Sequence, residues 1–270
     1  MPFDPKKLMK SLTAGHGAIL APHIEAYQQR AKFPETWQIE VRNSKPWDGH
    51  FHPSSDAFTP PVDLWLAHKG LIIPRPITPA LRRTFDCGHM WHGYIQSMLI
   101  EMGLVTPENV ERYIVKEMQG PHGPFVGAGT GDLVDVQIPG HGEWLVDIKT
   151  MNKVEFEQGA SEWTMMKWQA QVSCYMDWLD TEKAIILAIC KDSPHGFREY
   201  QIIKNTKLLN EIYERWSYVA HCLREDVRPE SGWTPPAPEL LNPGDSVYDA
   251  VIAEKYTESH GIEASSSSQR

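Results

Sequence analysis

Apolar residues recur along this chain with two different periods. From residue 5 to residue 30, Leu8, Leu12, Ile19, Leu20, Ile24 and Tyr27 fall at helical spacing, weakened in the middle by Gly15 and Gly17. An irregular stretch rich in aromatic residues and histidines follows over 31–60. A short helix is predicted over 62–69, and a loop punctuated by Pro74, Pro76 and Pro79 over 71–81. A longer helix is predicted over 85–102, with Gly103 placed to end it. The period then changes to two. Residues 112–118, 126–138 and 143–150 read as strands, the last two joined by Pro139-Gly140-His141-Gly142. Trp163, Met166, Ala170, Cys174 and Trp178 restore helical spacing over 161–180. The run 183–191 (KAIILAICK) reads as a buried strand with 198–204 as its partner, and Leu209, Ile212, Trp216, Val219 and Leu223 mark a helix over 207–224. This order predicts an α/β fold with a mixed central β-sheet flanked by helices and a helical N-terminal extension.

Composition divides the chain further. Residues 1–84 read as a helical and irregular extension packing on the core, 85–226 as the core itself, and 227–270 as a Pro/Ser-rich acidic tail, largely disordered because its prolines forbid regular elements. Hydrophobic residues make up 41%, enough for a substantial core in 270 residues. No apolar run is long enough to span a membrane, and the N-terminal MPFDPKKLMKSL has no secretory signal pattern, so a cytoplasmic protein is expected. The four cysteines, Cys87, Cys174, Cys190 and Cys222, form no close pair and read as reduced thiols. The net charge of −9 runs against nucleic-acid binding until its distribution is considered. From Glu225 onward there are nine acids and three bases, a balance of −6, which leaves −3 for residues 1–224. Some of those acids would sit in a metal pocket, where a cation reverses the local sign.

The candidate chemistry lies in Gly131-Asp132, a turn, and Asp147-Ile148-Lys149-Thr150. Asp147 and Lys149 are two apart on a strand and share a face, with Val146 and Ile148 on the other. If the loop is Pro139–Gly142, Ile138 faces Glu143, Asp132 lies opposite Lys149, and Asp135 points away. A slip of one residue would exchange Asp132 and Asp135. Two acids and an amine on one face suit a hard divalent cation and phosphodiester cleavage. A rival zinc set, Asp48, His50 and His52 with Cys87 and His89, matches no regular zinc spacing. Trp37, Trp47 and Phe51 are either core residues or platforms for an unpaired strand end.

Taken in order, Gly88-x-x-x-His92, Gly129-x-x-Asp132, Asp147-x-Lys149-Thr150 and Gln171-x-x-x-Tyr175 resemble the PD-(D/E)XK nuclease superfamily, nearest its RecB-like exonuclease branch with the CRISPR-associated fourth Cas family and phage relatives. The resemblance covers about 54–204. It implies that His92, Asp132, Asp147 and the Ile148 carbonyl bind Mg²⁺ or Mn²⁺, that Lys149 is the catalytic lysine, and that Gln171 and Tyr175 hold DNA near the site. It also offers Glu117 as a further acid near the metal. The iron–sulfur members of the branch carry a cysteine after a serine upstream of the histidine helix, where this chain has Ser54-Ser55-Asp56-Ala57-Phe58, so no iron–sulfur cluster is expected. The implied activity is a DNA exonuclease of phage or bacterial recombination or processing. Its partners would be linear or single-stranded DNA ends, with a homo-oligomer or a recombination protein as further possibilities. An endonuclease on the same core and a catalytically idle DNA-end-binding factor are the rival readings.

Overall fold

Strand register places the polar side chains of the first two hairpins, and it is set by two turns and one bulge. The structure is a computed structural model and describes residues 18–30, 48–72, 79–192 and 196–230. These all fall within one compact unit, 18–238. The described elements run α1 (Ala21–Arg30), α2 (Pro53–Asp56), α3 (Pro61–His68), α4 (Pro79–Glu101), a 3₁₀ turn (Pro107–Asn109), β1 (Val110–Gly120), β2 (Gly123–Ile138), β3 (Gly142–Met151), α5 (Lys153–Gln158), α6 (Glu162–Trp178), β4 (Ala184–Cys190), β5 (Phe197–Ile202) and α7 (Thr206–Arg224). The strands form one mixed sheet in the order β1-β2-β3-β4-β5, with β3 and β4 parallel and the other pairs antiparallel. The predicted fold class is therefore the observed one.

The hairpin between β2 and β3 differs from expectation in an instructive way. Ile138 pairs with Gly142, so the loop has three residues, Pro139-Gly140-His141, and Gly140 and Gly142 take positive φ values of 79° and 78°. Carried on unchanged, that register would set Asp132 level with Ile148, on the wrong face. A bulge between Leu133 and Val136 corrects it, and Asp135 takes a φ of 58° there. Leu133 then pairs with Val146, one step short of setting Asp132 against Asp147 rather than against Lys149. The two departures from the expected register cancel in parity. Asp135 is left beside Arg112, 3.6 Å from its guanidinium. Because a positive φ disfavours any residue with a Cβ, Asp135→Gly is expected to raise the melting temperature slightly, reflecting up to about 1 kcal/mol. A thermal melt checks this.

One face of the sheet is closed by α4 and the start of α1. Val146, Ile148, Ile185, Leu187 and Ile189 pack there with Ile95, Met98, Leu99, Leu20 and Ile24. The Glu199 carboxylate on β5 accepts the Ile19 and Leu20 N–H groups, both at 2.8 Å, and that of Ala21, satisfying donors at the start of α1 that have no intrahelical partner. On the other face, α6 and α7 bury Met165, Met166, Ala170, Cys174, Trp178, Leu209, Ile212, Trp216 and Val219.

Helix α4 begins at Pro79 rather than at 85. Proline suits a first helical turn, where its missing N–H is no loss, and it there extends the helix that was expected to start after the loop. The division placed at residue 85 thus falls inside a helix. Phe51 is 3% exposed, stacked on Trp216 at 5.4 Å, and hydrogen-bonded through its backbone to Val126 and Ala128. It is a core residue, not a platform for a strand end. Residues 5–17 of the helix predicted over 5–30, together with Trp37, Trp47 and the tail beyond 230, lie outside the described residues.

Candidate active site

β2 and β3 part company at Asp132, and the site forms in the gap. Beyond Leu133–Val146 the ladder stops, and the Asp132 carboxylate reaches across in its place, accepting the Ile148 N–H at 2.7 Å. Further along β2, the edge that β3 leaves is taken by Phe51, which bridges to Gly127. Because the strands diverge, side chains from the two faces of the sheet meet there. His92 comes from the α4 side, with its Nδ1 3.6 Å from Asp132 Oδ2. Gln171 comes from α6, accepting a hydrogen bond from Lys149 Nζ at 2.9 Å and donating to Asp147 Oδ1 at 3.4 Å and to the Tyr175 hydroxyl at 3.5 Å. Lys149 Nζ lies 2.8 Å from Asp147 Oδ2.

Six of the residues singled out in the sequence are therefore gathered: His92, Asp132, Asp147, Lys149, Gln171 and Tyr175. The Ile148 main chain runs through the group, and its side chain is buried in the core. Glu117 is not gathered. It is exposed and paired with Val126, six residues along β2 from Asp132, which is about 20 Å at strand rise. The acid that arrives is Glu111. The two-residue turn Pro121-His122 pairs Gly120 with Gly123, and that register carries Glu111 level with Asp132, between the pairs Val110–Leu133 and Arg112–Gly131. Glu111 holds a φ of 52°, an uncommon conformation for a residue with a side chain. Gln96, one helical turn after His92, donates to Glu111 Oε1 at 2.7 Å and to the Asp132 carbonyl at 3.5 Å. The β1–β2 register was the signal that would have found Glu111.

His92, Glu111 and Asp132 each offer a ligand atom within 4.8 Å of the others, and among the described residues no other three His, Cys, Asp or Glu side chains do so. The rival zinc set is thus not assembled in its described members. Asp48 instead accepts a hydrogen bond from the Tyr113 hydroxyl at 2.5 Å and lies 2.9 Å from His52 Nε2. Cys174, Cys190 and Cys222 are buried free thiols and Cys87 is half-buried on α4.

The electrostatics of the group are those of a buried, crowded acid cluster. Burial, only partly offset by the Lys149 ammonium and reinforced by the Asp132 charge, pushes the Asp147 carboxyl up to about 6. Burial acts the same way on Asp132, but its contacts with His92 and Lys149 outweigh it and hold that carboxyl below the usual range. Burial would lower Lys149, yet Asp147 and Asp132 raise it above an ordinary lysine, so it is held as the ammonium. His92 is likewise raised, Asp132 overcoming burial. Asp147 Oδ2 is buried and paired with the Lys149 ammonium at 2.8 Å. A buried carboxylate beside a His/Glu/Asp cluster of hard donors fits a divalent cation.

The contrast between the two glutamates is directly testable. Glu111→Gln is expected to weaken Mn²⁺ binding about 10- to 100-fold and Glu117→Gln to leave it unchanged, read by calorimetry. Equal losses in the two variants would contradict the placement.

No protein-family model matches the chain, and no curated protein matches it. Among solved structures, it is similar to a candidate exonuclease from Eubacterium rectale, at 11% identity and a TM-score of 0.44, covering 79% of this chain and 98% of that one. It is also similar to an alkaline exonuclease from Laribacter hongkongensis, at 18% identity and a TM-score of 0.40, covering 77% and 95%. No helix among the described residues is long and apolar enough to cross a membrane.

Proposed function

We propose that this protein is a Mg²⁺- or Mn²⁺-dependent deoxyribonuclease that hydrolyses phosphodiester bonds from DNA ends, in phage or bacterial DNA recombination or processing. The reading rests on one observation above the rest: a lysine held as an ammonium by a buried aspartate, beside a second aspartate, a glutamate and a histidine. A non-catalytic DNA-end-binding protein has no use for so much buried acid, which repels phosphate unless a cation is present.

His92, Glu111, Asp132 and Asp147 would hold the metal. When bound, it supplies Lewis-acid polarisation of the phosphate and a water of lowered pKa. Lys149 then acts as a cation: its ammonium donates to a phosphate oxygen and stabilises the charge that builds there. Gln171 fixes the lysine by accepting a hydrogen bond from its ammonium and keeps Asp147 oriented through its amide nitrogen. Tyr175 supports Gln171 from one turn further along α6 and, being 2% exposed, acts through Gln171 rather than on DNA itself. Of the two residues that the resemblance assigned to holding DNA, Gln171 is the one within reach.

The experiment is cleavage of linear duplex, closed circular and single-stranded DNA with Mg²⁺, Mn²⁺ or a chelator. Linear substrates should be degraded from their ends and circles spared, with all activity lost to the chelator. Nicking of closed circles would replace the exonuclease by an endonuclease on the same core. Binding without cleavage in either metal would overturn the enzyme reading.

A further inference from the structure

The first turns of α6 carry a feature that the helix's packing does not explain. Helical spacing predicts Trp163 on the same buried seam as Met166, Ala170, Cys174 and Trp178. Those four are buried, whereas Trp163 is 47% exposed. It belongs to a different line. Trp163, Lys167, Gln171 and Tyr175 are each four apart and run along one side of the helix. At the inner end of that line, Gln171 touches Lys149 and Asp147. At the outer end, the Lys167 ammonium lies over the Trp163 ring, 5.8 Å from its centroid, and Phe58 supports the ring at 5.2 Å. Eight residues of helix separate Trp163 from Gln171, a rise of about 12 Å.

We propose that Trp163 and Lys167 form a strand-binding subsite for single-stranded DNA, the indole stacking on a base and the ammonium pairing with a phosphate. The proposal deepens the nuclease reading and rests on it for the position of the cleaved bond. An exposed indole with a lysine beside it offers a flat apolar face and a cation together, the combination that nucleic-acid strands engage without regard to sequence. The helix sets the distance. At about 3.4 Å per stacked nucleotide, and up to about twice that when extended, a rise of about 12 Å places the stacked base about two to four nucleotides from the phosphate that Lys149 meets. Lys167 supplies a positive charge on this line of the helix, in a protein whose net charge is −9, and so a point to which a phosphate is drawn.

The test uses the full chain, single-stranded oligonucleotides and three substitutions at one position. Trp163→Ala should raise KM roughly 5- to 150-fold, the range for loss of one base–aromatic stack. Trp163→Phe should recover most of that loss, whereas Trp163→Leu, which still packs against Phe58, should not. Lys167→Ala should reduce the slope of log KM against log salt by about 0.7, one single-strand phosphate contact. Oligonucleotides with 2-aminopurine at successive positions should show quenching about two to four nucleotides from the cut, absent in Trp163→Leu. Wild-type KM in Trp163→Leu would overturn the proposal, as would unchanged KM accompanied by an altered oligomeric state in sedimentation. Fluorescence anisotropy of a labelled strand without divalent metal follows binding independently of cleavage. A chain that binds DNA through Trp163 but cuts none overturns the nuclease reading alone; one that cuts DNA with Trp163 irrelevant overturns the subsite alone.

Discussion

Asp147→Asn and Lys149→Met are each expected to reduce DNA cleavage by at least about 10³-fold, roughly 4 kcal/mol of transition-state stabilisation, while both proteins still unfold cooperatively. The two losses should arise differently. Asp147→Asn keeps the shape of the side chain and leaves Lys149 hydrogen-bonded to Gln171, but it removes one of the charges that would hold the cation. Mn²⁺ binding, followed by calorimetry, should therefore weaken. Lys149→Met removes a cation that competes for Asp147, so metal binding should persist or tighten even as turnover disappears. Neither change should unfold the protein. Asp147, already pushed up to about 6, can take a proton when its ammonium partner is lost, which limits the cost of leaving it buried. Wild-type rates in either variant would remove the site from consideration. Equal loss of metal binding in both would remove the distinct role given to Lys149.

That much of the site was legible because it depends on parity alone. Alternation along β3 sets Asp147 and Lys149 against α6 and sends Val146 and Ile148 into the core with α4, whatever the neighbouring strand does. The 3.6-residue period likewise placed Gln171 and Tyr175 on one side of α6. What depended on relations between strands was less legible. The three-residue loop and the bulge at Asp135 each shift the β2–β3 register, and only a positive φ, invisible in the residue type, announces the bulge. Glu117 and Glu111 both lie on β1, and choosing between them requires the count of residues in the Pro121-His122 turn. Trp163 and Phe51 show a third limit. Aromatic residues satisfy both a core and a surface reading: helical spacing predicts Trp163 on the buried seam, where the structure leaves it exposed, and Phe51, open to both readings in the sequence, lies in the core. In the sequence Pro79 reads as loop punctuation, because proline ends helices more conspicuously than it begins them, whereas the structure has it start α4.

Gly129→Ala is expected to lower both stability and activity, by a route that passes through Tyr175. A Cβ at Gly129 would lie 2.6 Å from both Cε1 and the hydroxyl oxygen of Tyr175, closer than van der Waals contact permits. Tyr175 cannot retreat into solvent, being 2% exposed and packed against Trp178, with ring centroids 5.7 Å apart. Either β2 moves away from α6 or the tyrosine leaves its place beside Gln171. Overpacking of this kind costs about 1–3 kcal/mol, a fall in melting temperature of roughly 2–12 °C for a chain of this size. Displacing the tyrosine also removes support from Gln171, and so from the Lys149 ammonium, which is expected to lower kcat by about tenfold or more. Tyr175→Leu alone should retain most of the fold and lose part of the activity. Combined with Gly129→Ala it should recover more stability than the two single effects would allow if they simply added, because the clash is then gone, and it should recover no activity, because the tyrosine hydroxyl is gone too. The melting curve and kcat of the double variant thus separate the packing role of Gly129 from the positioning role of Tyr175. Strict additivity in the melting temperatures would show that the glycine and the tyrosine do not meet as described.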